Sequence, residues 1–169
     1  MKLRHLFFAC SGVFVMMFSL LLLVVIVFSD EEDGGSSENL IYGGVSISQE
    51  VLAHKPMLEK YAREYGIEEY LNVLLAIIQV ESGGTLEDVM QSSESLGLPP
   101  NSLSTEESIK QGCKYFSELL AAAETKGCDL NSVIQSYNYG GGFLDYVAGR
   151  GKKYTFELAE SFARDKSGG

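Results

Sequence analysis

An all-α domain behind one N-terminal membrane-spanning helix is the architecture this sequence predicts. Three observations carry it. An uncharged apolar run covers residues 6–28. Beyond residue 48, apolar side chains recur at helical spacing and nowhere alternate over a sustained stretch, so no substantial sheet is expected. Capping and breaking residues stand where helices of ordinary length begin and end.

The apolar run is long enough to cross a bilayer, which takes ~20 residues, and longer than the ~7–15 of a signal-peptide core. Lys2, Arg4 and His5 precede it, and Asp30, Glu31, Glu32 and Asp33 follow it. Positive charge stays inside, so the N-terminus is expected in the cytoplasm and the remainder outside the cell membrane. A retained single-pass anchor over residues 1–29 is the first reading and a cleaved signal the alternative. Residues 30–46 are rich in Asp, Glu, Gly, Ser and Asn and read as a flexible acidic linker. Residues 47–169 are then expected to form one folded helical domain.

Within that domain Ser48 caps a first turn reaching residue 55, and Pro56 suits the start of a helix stopped by Gly66. Residues 68–80 carry Leu71, Leu74, Leu75, Ile77 and Ile78 on one face. Ser104 and Glu107 form a capping box for a helix to Lys126, with Gly127 just past its end. Asp129 caps the next, from 130 to about 138. Gly140, Gly141 and Gly142 break the chain, a short helix runs to Ala148, and Thr155 starts a last one to about Lys166.

The net charge of −10 argues against nucleic acid as a partner. No metal-ligand spacing, phosphate-binding glycine loop or serine elbow is present, so no metal or cofactor is implied. Cys113 and Cys128 invite a disulfide outside the cytoplasm. Cys113 lies mid-helix, however, and ~1.5 Å of rise per residue leaves roughly 20 Å of helix between them. Two partly buried free thiols are expected instead.

Glu81 is the residue with chemical promise. It follows Leu74, Ile77 and Ile78 at seven, four and three residues, so it continues the buried stripe. It also stands at a helix C-terminus, where the dipole is negative. Both effects disfavour its ionised form and raise its pKa. A carboxyl that stays protonated near neutral pH can give its proton to a leaving sugar oxygen.

Around it stand three short motifs: Glu81-Ser82-Gly83-Gly84, then Met90-Gln91, then Tyr137-Asn138-Tyr139-Gly140. Their order resembles the superfamily of goose-type lysozymes and soluble lytic transglycosylases. The stretch from Glu81 to Pro100, with Gln91-Ser92-Ser93-Glu94-Ser95-Leu96-Gly97, is similar to the lysozyme-like domain of CwlT-like cell-wall hydrolases. The resemblance spans about residues 46–166 and implies a lysozyme-like helical fold acting on peptidoglycan glycan strands. It implies that Glu81 is the catalytic acid, that Ser82 and Gln91 contact substrate, that Tyr137 and Asn138 line the cleft, and that Gly140 keeps the backbone close. Asp88 lies across a glycine turn from Glu81. The resemblance favours it as a second catalytic carboxylate that activates water or stabilises an oxocarbenium-like transition state. Glu87 and Glu94 are weaker candidates for the same role.

Three functional readings stay open at this level. One is an N-acetylmuramidase that cleaves the β-1,4 bond between N-acetylmuramic acid and N-acetylglucosamine for local wall opening. The second is a lytic transglycosylase with a 1,6-anhydro product. The third is a non-catalytic wall-binding part of a membrane secretion or conjugation machinery. The chain ends at Gly169, so the peptidase domain that often follows in the CwlT-like group is expected to be absent.

Overall fold

The computed structural model describes residues 41–42 and 45–167. The expected spanning helix, and most of the expected linker, lie outside the described residues. Among the described residues no helix is long and apolar enough to cross a membrane.

The segment read as the end of the linker instead opens the fold. Strand β1 (Ile41–Tyr42) pairs antiparallel with β2 (Val45–Ser46), Ile41 opposite Ser46 and Tyr42 opposite Val45. Two such pairs are too short for alternation to reveal in the sequence. The other regular elements among the described residues are helical. The helices are α1 (Gln49–Ala53), α2 (Lys55–Glu64), α3 (Leu71–Glu81), α4 (Thr105–Lys126), α5 (Leu130–Tyr139), α6 (Gly142–Ala148) and α7 (Phe156–Ser167). Single 3₁₀ turns stand at Glu68–Tyr70, ahead of α3, and at Ser92–Leu96.

The caps act as their chemistry dictates. Ser48 Oγ accepts from Val51 N, and Asp129 Oδ1 accepts from Ser132 N. The reciprocal capping box forms at Ser104 and Glu107. Gly127 closes α4 in the left-handed conformation.

Helix α3 is buried continuously from Val73 to Ile78, and α5 from Ser132 to Tyr137. Each is wrapped on all sides, so neither needs a polar face over that stretch. The 22-residue α4 packs along α2, α5, α6 and the 3₁₀ turn at 92–96. Leu58, Leu74, Ile78, Ile109, Phe116 and Ile134 fill the core between them. A second aromatic cluster locks α7 onto α6, with Phe143 and Phe162 edge to face at 5.2 Å and Tyr139 stacked on Phe162 at 5.7 Å. Cys113 and Cys128 are free, the first fully buried and the second half-buried.

Candidate active site

The last residue of α3 is Glu81. The chain then turns sharply through Ser82, Gly83 and Gly84. Gly84 has φ +76, and a β-carbon there would lie 2.8 Å from the backbone of Glu50 and Val51. Only glycine allows that approach. His54 Nε2 meets the Gly84 carbonyl at 3.0 Å, which ties this turn to the end of α1.

Ser82 was expected to touch substrate, and the structure gives it other work. Its Oγ donates to the Val89 carbonyl at 2.7 Å and accepts from Gly84 N at 3.0 Å, so it laces the turn together. It does not line the groove that Glu81 faces.

Asp88 departs further from expectation. It is fully buried. Its Oδ1 accepts from Ser92 N at 2.9 Å and from Ser108 Oγ at 2.6 Å, and its Oδ2 accepts from Ser93 N at 3.2 Å. Backbone and hydroxyl donors thus take the place of water around both of its oxygens. Asp88 is absent from the lining of the groove that Glu81 faces, and its full burial keeps it from solvent. The expected return of this carboxylate to the cleft is therefore corrected. The Ser108 hydroxyl and the backbone N–H groups of Ser92 and Ser93, which open the 3₁₀ turn, capture it first.

The groove holds about 280 Å³. Glu81, Gln91, Tyr137, Asn138 and Gly140 all line it, as the motifs implied. Glu81 is partly buried, and its carboxyl makes no hydrogen bond or ion pair among the described residues. Loss of water is the main cause that raises its pKa from 4.5 to about 8, followed by the negative charges of Glu94 and then Asp88. At neutral pH this side chain carries its proton.

Tyr137 is buried behind Glu81 and donates its hydroxyl to the Met90 carbonyl at 3.1 Å. Burial raises its pKa well above the usual value, so it stays a neutral donor. Gly112 on α4 makes room for this bond. A β-carbon there would sit 2.5 Å from Met90 Sδ and 2.8 Å from the Tyr137 hydroxyl. Gln91 takes the left-handed conformation, φ 47 and ψ 35, unusual for a side-chain-bearing residue. Its Nε2 donates to the Asp88 carbonyl at 2.9 Å and to Asn101 Oδ1 at 2.8 Å, and its side-chain oxygen takes no protein donor among the described residues.

The lining also contains residues that the motif reading passed over or ranked low. Glu94 and Ser95 come from the 3₁₀ turn, Tyr115 from α4, and Tyr139 from the variable place in Tyr-Asn-x-Gly. Tyr115 packs on Tyr137 with ring centroids 5.5 Å apart. It stands 22 residues before Tyr137, on another helix, and no local pattern announces the pairing. Aromatic rings beside amide and carboxyl groups are the surface a sugar ring requires: an apolar face with hydrogen-bonding edges. Among the described residues no group of acidic, thiol and imidazole side chains forms a metal site.

A family model for lysozyme-like proteins matches residues 48–169. The chain is 45% identical over 124 residues to the bifunctional muramidase/DL-endopeptidase CwlT of Bacillus subtilis, covering 73% of this chain and 37% of that protein. It is 37% identical over 121 residues to the uncharacterized membrane protein YocA of the same organism, covering 71% of this chain and 54% of YocA. The pneumococcal vaccine antigen A of Streptococcus pneumoniae is 33% identical over 118 residues, covering 69% of this chain and 58% of the antigen. The chain thus spans between about a third and three fifths of these relatives. Among solved structures, a lipoprotein-like protein of the NLP/P60 family from Staphylococcus aureus superposes with a TM-score of 0.74 at 75% identity. That match covers 75% of this chain and 43% of the other.

Proposed function

Because the chain belongs to the lysozyme-like family, we propose that it hydrolyses peptidoglycan glycan strands at the β-1,4 bond between N-acetylmuramic acid and N-acetylglucosamine. One observation carries the proposal. Glu81, raised to about 8, faces a groove lined by Gln91, Tyr137 and Asn138. A protonated carboxyl with no protein partner is free to give its proton to the glycosidic oxygen as the C1–O4 bond breaks. Tyr115 and Tyr139 bring aromatic rings to the groove wall, and Gln91 and Asn138 bring amides for the hydroxyl and acetamido groups of the sugars.

The CwlT name carries two activities, and this groove fits the glycosidase. Neither cysteine lines it, and burial pushes the Cys113 thiol up to about 12, far from a nucleophilic thiolate. The apolar run at 6–28, with cations before it and acids after it, supports a cell-membrane tether that holds the domain against the outer wall.

The test is lysis of purified peptidoglycan by the full chain beside Glu81→Gln, with mass analysis of the fragments. Reducing muramic acid ends from the parent and none from the variant are expected. Equal lysis by Glu81→Gln defeats the site, and 1,6-anhydro ends from the parent replace hydrolysis with transglycosylation.

A further inference from the structure

We infer that Glu94 is the second catalytic carboxylate, the base that takes the proton of the attacking water, and that Asp88 serves it as a positioning residue. This rests on the glycosidase reading above and deepens it.

Two carboxylates line the groove, Glu81 and Glu94. A general base must reach water, keep a free lone pair and stand within range of the reacting carbon. Asp88 fails the first of these conditions, being fully buried, and three donors already engage its two oxygens. Glu94 is exposed, and its carboxylate makes no hydrogen bond or ion pair among the described residues. Its charge acts on Glu81 more strongly than that of Asp88 does, although Asp88 is only seven residues from Glu81 in sequence. The two groove carboxyls are therefore electrostatic neighbours on separate elements, α3 and the 3₁₀ turn.

The same geometry gives Asp88 its purpose. The amides it captures, Ser92 N and Ser93 N, open the turn that carries Glu94. Ser108 Oγ ties that carboxylate to α4, and Ser92 Oγ donates to the Ser108 carbonyl at 2.9 Å. Gln111 Nε2 holds Ser95 Oγ at 2.9 Å on the far side. The turn is thus pinned on both flanks of Glu94, whose carboxylate has no protein partner among the described residues.

In the reaction, water oxygen bonds to the anomeric carbon as the C1–O4 bond breaks. Glu81 gives its proton to O4, and Glu94 receives one proton of the water. The products are a free 4-hydroxyl and a reducing sugar with inverted configuration. Exchange with solvent then restores both carboxyls. An inverting site of this kind sets its carboxyls ~6.5–9.5 Å apart.

The experiment uses the full chain, purified peptidoglycan, and the variants Glu94→Gln, Glu94→Ala and Asp88→Ala. Glu94→Gln is expected to lower the release of reducing ends by about 100-fold or more while pelleting with peptidoglycan as the parent does. With sodium azide, Glu94→Ala is expected to regain turnover and yield a glycosyl azide, because azide needs no base. Asp88→Ala is expected to yield none. Release by Glu94→Gln within about threefold of the parent overturns the assignment, as does azide rescue of Asp88→Ala in place of Glu94→Ala. If the parent itself makes 1,6-anhydro ends or no ends, the hydrolase reading falls and takes this one with it. If the parent makes reducing ends and Glu94→Gln matches it, only this inference falls.

Discussion

Replacing Glu81 with glutamine should make the protein sturdier as it makes the enzyme inert, and the gain should depend on pH. The native side chain holds its proton up to about 8, whereas an ordinary glutamate releases it near 4.5. Between those values the folded state binds more protons than the unfolded state, so the stability due to this group falls as pH rises. It is fully present below 4.5 and is lost as pH passes through 8. At about 1.4 kcal/mol per tenfold change in proton affinity, the gap sets a ceiling of about 5 kcal/mol. Water at the groove mouth and relaxation of the side chain reduce this to about 1–3 kcal/mol. Glutamine has the same shape and no charge to strip of water. Urea unfolding of parent and Glu81→Gln from pH 4 to pH 9 reads the difference directly. The two curves should separate steadily, with the variant ahead at the alkaline end. A difference that stays constant across the range would refute the claim that burial keeps Glu81 uncharged.

Further outcomes can be checked alongside. Gly112→Ala should cost about 1–3 kcal/mol by overpacking and lower lysis at least about tenfold, because its β-carbon displaces Met90 and the Tyr137 hydroxyl; denaturant melts and turbidity loss measure the two effects. Asp88→Asn should cost about 2–3 kcal/mol by weakening a buried charge-assisted network. Combined with Glu94→Gln it should slow lysis no further than Glu94→Gln alone, and an additive loss would show that Asp88 acts independently of Glu94. A maleimide should label Cys128 in the native chain and spare Cys113, whose thiol is buried and pushed up to about 12; mass spectrometry before and after denaturation decides it.

Local rules made most of the helices legible. Ser48, Ser104, Asp129 and Gly127 mark their ends with side chains that satisfy backbone groups within a few residues, and such signals survive in one dimension. Thr155 belongs with them, since its Oγ1 accepts from Leu158 N at the start of α7. Glu81 was legible because burial, helix position and motif agree. The groove's other carboxylate was harder to find. Asp88 sits where a returning chain could present it, yet it is removed by Ser108, 20 residues away on α4. Nothing near Asp88 in sequence announces that partner. Glu94 looks like one more polar residue in a serine-rich stretch until the turn is folded and pinned. Tyr115 shows the same limit, since its place against Tyr137 depends on how α4 and α5 cross.

Gln91 carries a consequence of its own. Its left-handed backbone costs about 1–2 kcal/mol relative to a relaxed residue, and that conformation accompanies an amide held by the Asp88 carbonyl and Asn101 at the edge of the groove. Glycine at this position would relieve the tension and remove a groove-lining amide in one step. On the proposed function, selection for heat resistance and selection for glycan recognition therefore pull this codon in opposite directions. A library of variants screened for melting temperature alone should enrich glycine at residue 91 and fill with well-folded chains that clear peptidoglycan poorly.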